Sequence, residues 1–439
     1  MENSLQFDLF GGELEDKQKP LSRSLKSTRS GTFTDNMRLP IHRWFRYSAG
    51  FSAEWVEELL REFSSTSKPA ILDPFAGSGT TLLAAEKAGC TAYGYESHPF
   101  VSRIAGGKLL WHVDEHSFLD LAIAFLNQAK SAKPASQNPP PELLAKCYTG
   151  ETLQKLFVLR DQYIEQVGEA REWTLVWLAI TAILRPCSHV GTAQWQYVLP
   201  NKRKAGSLDP FDAFEAKISE MAADMAQAKR AGYGRTATMY AHDARDIAPI
   251  PVNSVDLVVT SPPYPNNYDY ADATRLEMTF WGEVSSWGDL QDTVRKFIIR
   301  SCSQHSAAEK LNLDVLLEEP AVAVIRQELA EVCNQLAEIR LTKGGKKTYH
   351  TMIAAYFADL SRVFLALRPV CREHSKICFV IGNSAPYGIY VPVEEWLGRL
   401  AVAAGFREFS FEKLRDRNVK WKNRKHRIPL HEGRLWIKG

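Results

Sequence analysis

Short apolar runs and helical patterns alternate in two separate stretches of the chain. In the first, Ala70-Ile71-Leu72 leads into a loop with two glycines, a helical pattern opens at Leu82 and closes at Gly89, and a second apolar strand follows at Thr91–Glu96. In the second, the run Val255-Asp256-Leu257-Val258-Val259 is followed by helix patterns at Ala273–Trp281 and Tyr349–Leu367, the latter ending before Pro369. A buried strand at Lys376–Gly382, a helix at Val393–Ala404 stopped by Gly405, and closing strands at Phe406–Leu414 and Leu435–Lys438 complete the pattern. Continuous apolar runs bounded by turn signals read as strands covered on both faces. Ser52 reads as the N-cap of a helix running to Leu60. The order predicts an α/β protein whose sheet is doubly wound and mostly parallel, with an antiparallel C-terminal end.

Residues 106–235 break the alternation and read as a mainly helical insertion. It contains the proline-rich linker Pro134 to Pro141 and the apolar periodic segment Trp173–Leu184. Beyond that helix, Arg185–Tyr197 and Lys202-Arg203-Lys204 form a polar, basic and aromatic loop. Residues 1–33 lack periodicity and read as a flexible basic arm. The chain therefore divides into this arm, a first core part at 34–105, the insertion at 106–235, and a second core part at 236–439.

Chemistry enters at the ends of two predicted strands. In Thr260-Ser261-Pro262-Pro263-Tyr264, adjacent prolines fix two φ angles and remove two N–H donors, so a rigid turn leaves the strand with unpaired carbonyls. Free acceptors, a serine hydroxyl and an aromatic face together suit a flat exocyclic amine such as a nucleobase edge. A plain proline turn is the alternative. Upstream, Asp73-Pro74-Phe75-Ala76-Gly77-Ser78-Gly79 followed by Thr80 has the strand–loop–helix form of a nucleotide site, and the missing Gly-Lys-Ser/Thr argues against a triphosphate loop. Glu96 falls about 20 residues past these glycines, where an acid at a strand tip accepts ribose hydroxyls.

These residues carry a family resemblance. Asp73–Gly79 resembles motif I of the amino-group DNA methyltransferases, and Thr260–Tyr264 resembles their catalytic motif IV. His242-Asp243-Ala244-Arg245 followed by Ile250–Val255 is similar to the stretch preceding motif IV, so the likeness covers roughly residues 34–105 and 236–439 in the family's order. It implies a Rossmann-like S-adenosylmethionine-dependent methyltransferase fold. Asp73, Pro74, Phe75, Gly77, Gly79, Thr80, Glu96 and Asp243 would hold S-adenosyl-L-methionine, with Asp243 reaching its adenine amine and Phe51 and Ser52 helping close the pocket. Ser261, Pro262, Pro263 and Tyr264 would form the catalytic site. In the family, serine at the first motif IV position goes with cytosine N4, and Asp or Asn with adenine N6. The expectation is therefore N4 methylation of a flipped cytosine in double-stranded DNA, with N6-adenine methylation as the alternative. An RNA methyltransferase and a silent cofactor-binding regulator remain as readings from other classes. No metal is needed for such a transfer. No nuclease signature is evident, which assigns any restriction endonuclease to another chain.

Composition narrows the setting. The 439 residues are 45% hydrophobic and 24% charged, enough for a large core. With no run of 18 apolar residues, a membrane helix is not expected, and the protein is expected in the cytoplasm. Seven irregularly spaced cysteines predict reduced thiols and no zinc site. Pro186-Cys187 could supply the thiol of cytosine C5 chemistry, but it lies far from the predicted catalytic loop and reads as structural. The net charge is only +3, yet Lys17 to Arg46 carries eight cations against Asp35 alone, and the tail from Arg415 to Arg427 is also basic, with Trp421 and His426 interleaved. Both suit phosphate contacts or a solvated face. The insertion reads as a recognition module or a structural cap, with residues 281–346 as the competing location for recognition.

Overall fold

Leu72 and its neighbours are fully buried, as a strand covered on both faces requires, and form β1 (Ile71–Asp73) at the centre of the molecule. In chain order the remaining strands are β2 (Ala92–Tyr95), β3 (Val190–Thr192), β4 (Val198–Arg203), β5 (Ala237–Tyr240), β6 (Val255–Thr260), β7 (Cys371–Gly382), β8 (Glu408–Arg417) and β9 (Leu430–Lys438). The computed structural model describes residues 35–48, 50–63, 68–133, 139–193, 196–265, 268–308, 310–345, 347–417 and 428–439. The N-terminal arm, Gln194, Trp195 and the basic segment Lys420 to Arg427 lie outside them.

Seven strands form one sheet in the order β5-β2-β1-β6-β7-β9-β8. β5, β2, β1, β6 and β7 are parallel, and β9 pairs antiparallel with both β7 and β8. The chain leaves β1 toward β2 and β5, then returns to place β6 on the other side of β1. The switch in winding direction therefore falls between β1 and β6, where open α/β sheets bind their ligands at the carboxyl ends of the strands.

Each face of the sheet has its own core. Ile71, Ala92, Leu257 and Val259 pack with the helices Ala53–Phe63, Thr80–Ala88 and Pro99–Leu109. Residues from the insertion helices Glu115–Ser131, Gly150–Gln166, Glu172–Cys187 and Pro210–Arg230 belong to this same core, so the insertion continues the helical layer. Leu72, Ile377, Phe379 and Ile381 pack on the other face with Arg326–Thr342, Tyr349–Val370 and Val393–Ala403.

Two helices run past expected stops. Tyr349–Val370 includes Pro369, whose missing N–H falls in the last turn, where Leu365 is half exposed and its carbonyl can be solvated. Glu172–Cys187 includes Pro186, and Lys204 Nζ caps this end by donating to the carbonyls of Arg185 (2.8 Å) and Pro186 (3.0 Å). Ser52 caps Ala53–Phe63, its hydroxyl accepting from the Trp55 N–H at 3.3 Å. No helix among the described residues is long and apolar enough to cross a membrane.

Candidate active site

β1, β2 and β6 end side by side, and each delivers one polar residue. At the tip of β1 Asp73 is almost fully buried, and its Oδ1 accepts from the Phe75 N–H (3.0 Å) and from Thr260 Oγ1 at the end of β6 (2.6 Å). The winding switch is thus bridged by one hydrogen bond. Asp73 Oδ2 is buried and has no partner among the described residues. Burial pushes the Asp73 carboxyl up to about 6 against the pull of these donors.

Gly77 and Gly79 adopt φ of +52° and +87°, conformations that other residues reach only at a cost, and they swing the chain over the strand tip. A Cβ on Gly77 would sit 3.4 Å from the Tyr47 ring, which walls the loop. Gly79 is the N-cap of Thr80–Ala88 and offers no side-chain acceptor, so the first N–H groups of that helix remain available to a ligand. Glu96, just past β2, accepts the Gly77 N–H on Oε2 (3.0 Å) and the His98 N–H on Oε1 (2.8 Å). Each oxygen keeps a lone pair. Burial, with Asp73 nearby, pushes Glu96 up to about 7.

The turn after β6 is fastened at both ends. Ser261 Oγ donates to the Val380 carbonyl of β7 at 3.2 Å, and Ser384 Oγ, in the loop after β7, donates to the Pro265 carbonyl at 2.6 Å. Because the serine proton is used on Val380, the Ser261 oxygen has lone pairs left to accept. No donor among the described residues reaches the Pro262 carbonyl. Tyr264 follows, its phenol held neutral first by burial, with the Arg417 guanidinium 5.3 Å from its ring centroid. Arg417 Nη1 donates to the Asn383 carbonyl (3.0 Å), and a Cβ on Gly382 would meet that guanidinium at 2.5 Å, so the arginine lies directly over this glycine.

The pieces are two carboxylates with spare lone pairs beside a glycine loop and a helix start, next to a rigid turn presenting acceptors and an aromatic ring. That geometry suits a nucleoside-bearing ligand facing an amine. In comparisons of sequence, residues 11–106 match a family described as "DNA methylase". The chain is also similar over 88% of its length, and 82% of theirs, to two Type II methyltransferases: M.BsoBI of Geobacillus stearothermophilus at 24% identity and M.AvaI of Nostoc sp. at 26%. These likenesses support the amino-group DNA methyltransferases as the family that the chain resembles. No solved structure matches it.

The sheet, mostly parallel with antiparallel pairing at its C-terminal side, is consistent with the Rossmann-like methyltransferase fold. Of the residues picked out in the sequence, Asp73, Phe75, Gly77, Gly79, Thr80 and Glu96 lie together at the ends of β1 and β2, and Ser261 to Tyr264 form the turn beside them. Pro74 sits between Asp73 and Phe75 in the same loop. Phe51 is buried, its carbonyl accepting from Asn36 Nδ2 at 2.8 Å. Asp243, beyond β5, is gripped by Arg245, whose Nε lies 2.9 and 3.0 Å from its two oxygens. Arg245 also reaches the buried Asp359 (2.9 Å), itself held by Arg300.

Sequence reasoning did not single out Thr260, Tyr47, Gly382, Ser384 or Arg417 for these roles. Only Gly382-Asn383-Ser384 at a strand end carried a local signal, a glycine followed by two turn-forming polar residues. Cys187 is 1% exposed, and burial pushes its thiol up to about 12, against any nucleophilic use. In the tail, Arg415 pairs with Glu432 at 2.8 Å.

Proposed function

We propose that this protein transfers a methyl group from S-adenosyl-L-methionine to the exocyclic N4 amine of a flipped cytosine in double-stranded DNA. The carrying observation is the Ser261–Pro263 turn, which offers the serine lone pairs and the Pro262 carbonyl while remaining fastened to β7 before it and to the loop after β7 beyond it. The amine lone pair of cytosine is delocalised into its ring. Acceptors that draw its hydrogens aside, held in place before the substrate arrives, favour the geometry in which nitrogen attacks. Tyr264 supplies a stacking face that helps offset the unstacking of the base, a few kcal/mol. The serine at the first motif position, in place of an acid, favours cytosine by resemblance to the family.

The donor pocket fits the cofactor. Glu96 keeps acceptor capacity on both oxygens for the ribose hydroxyls, Asp73 has a buried oxygen without a partner, and Gly77 and Gly79 let backbone approach the ligand. Bound there, S-adenosyl-L-methionine supplies an activated methyl on a sulfonium. Thr260 couples the halves: one side chain hydrogen-bonds Asp73 while the next residue, Ser261, faces the amine. The relatives' names support a Type II methyltransferase, and the same reading puts any restriction endonuclease on a separate chain and this protein in the cytoplasm.

The test is nucleoside mass spectrometry with single-molecule sequencing of DNA from a methylation-free host expressing the chain. N4-methylcytosine in one short sequence is expected. N6-methyladenine would overturn the choice of base, and unmarked DNA would redirect the assignment to RNA or to a silent binder.

A pH prediction attaches to Glu96. Its folded-state pKa is raised to about 7, so the free protein holds a proton that the unfolded chain has lost, and this group costs stability as pH rises from about 4.5 to about 7. Ribose hydroxyls donate best to the ionised form. Cofactor affinity is therefore expected to rise with pH up to about 7 and then level off, and Glu96→Gln is expected to lower it about 10- to 100-fold and flatten the profile, measured by calorimetry. An unchanged profile in the variant would remove Glu96 from the pocket.

A further inference from the structure

The insertion reaches the catalytic turn through one short hairpin. β3 and β4 pair antiparallel, but the register jumps from Gly191 opposite Leu199 to Val190 opposite Arg203. Pro200, Asn201 and Lys202 therefore have no register partner, an enlarged bulge of the kind that re-aims side chains, with the Lys202 backbone lying against Gly191. Asn201, Lys202 and Arg203 are all exposed. Neither cation forms an ion pair among the described residues. Lys204, the next residue, is instead spent on the helix end at Arg185 and Pro186.

The other end of the hairpin is docked. The Tyr197 hydroxyl accepts from the Asp269 N–H at 2.8 Å and faces the Asp269 carbonyl at 3.4 Å, and its ring lies 5.4 Å from that of Tyr268. Asp269 belongs to the loop that continues from Tyr264. Its carboxylate is held by the buried Arg295, with Nη2 at 2.6 Å. Beside Tyr197, Gln196 accepts the Ser48 N–H (2.8 Å) next to the Tyr47 wall, and Arg185 ties the Gln196 carbonyl (2.5 Å) to the buried Glu277 (2.5 Å). One small element thus touches the catalytic loop and the cofactor wall, and it carries unpaired cations at its far end.

We propose that the β3–β4 hairpin is the arm that reads duplex DNA flanking the target base, with Asn201, Lys202 and Arg203 at the groove and Tyr197 passing its seating to the catalytic loop. A two-stranded ribbon fits the major groove, where Asn pairs with adenine and Lys or Arg with guanine. Lys202 lies five residue steps beyond Tyr197, a reach of at most about 17 Å. The reading therefore falls on the DNA that flanks the target base. Tyr197 is a positioning residue, since it touches the loop and not the base. The inference rests on the DNA methyltransferase reading but not on which base is modified.

The experiment follows radiolabelled methyl transfer to plasmid DNA by the full-length protein. The double variant Lys202→Ala, Arg203→Ala is expected to raise KM for DNA at least tenfold and to flatten the log–log salt dependence by about two units. Asn201→Ala is expected to spread methylation to sites differing at one position flanking the target. Tyr197→Phe keeps the ring packing and is expected to lower kcat about tenfold with KM for DNA unchanged. Wild-type KM and salt slope in the double variant, or wild-type kcat in Tyr197→Phe, would overturn the proposal. Absence of any transfer to DNA by the unaltered protein would overturn the underlying reading, and the hairpin's role with it.

Discussion

Replacing Ser261 and Pro262 together by alanine is expected to lower the rate of methyl transfer by at least about 10² to 10³-fold while leaving cofactor affinity unchanged. The Ser261 change deletes an acceptor whose own proton already goes to the Val380 carbonyl. The Pro262 change restores an N–H and frees φ, so the turn that holds its carbonyl toward the substrate is no longer rigid. Both effects fall on geometry realised at the reacting nitrogen, which is where stabilisation of the transition state is lost without loss of binding. The donor side is untouched because the bridge to Asp73 comes from Thr260, one residue earlier. Single-turnover transfer and cofactor titration on the same preparation separate the two. Wild-type-like incorporation by the variant would place the acceptors elsewhere.

How much of this site could be read from the chain depends on how local each contact is. The glycine loop and the proline turn declare themselves, since both conformations are written into the residues that adopt them. What fastens the turn was hidden. Ser384 meets Pro265 only because β7 lies beside β6 in the sheet, a matter of strand register that no local pattern carries. The insertion was legible as helices but not as part of the first core, because an amphipathic stripe tells that a face is buried and not against what. Helix ends were the least readable: a proline in a last turn loses a bond that solvent or a lysine replaces, as at Pro369 and Pro186. The aromatic segment Pro40–Tyr47 shows the same limit, since its anchor lies about 180 residues away on an insertion helix where an aspartate ordinarily faces water.

That anchor is Asp224, and its removal should give the largest loss of stability. The side chain is fully buried in Pro210–Arg230 and accepts from the Ile41 N–H (2.9 Å), Trp44 Nε1 (3.0 Å), and Arg43 Nε (3.1 Å) and Nη2 (2.5 Å). Asp224→Ala strands a buried indole N–H, a backbone N–H and a half-buried guanidinium at once. The expected cost is about 3–5 kcal/mol, the range for breaking a buried charged pair, read as a lower urea midpoint with unchanged slope. Asp224→Asn keeps the shape and part of the bonding and should lose less. The segment so anchored ends in Tyr47, the wall over Gly77, and Lys108 Nζ reinforces it by donating to the carbonyls of His42 (3.0 Å) and Phe45 (3.3 Å). Loosening it should therefore weaken cofactor binding from a residue that never touches the pocket, and Asp224→Ala is expected to do so at temperatures where it remains folded. An unfolding midpoint equal to wild type would show that the segment is held by its apolar packing alone, with the carboxylate dispensable.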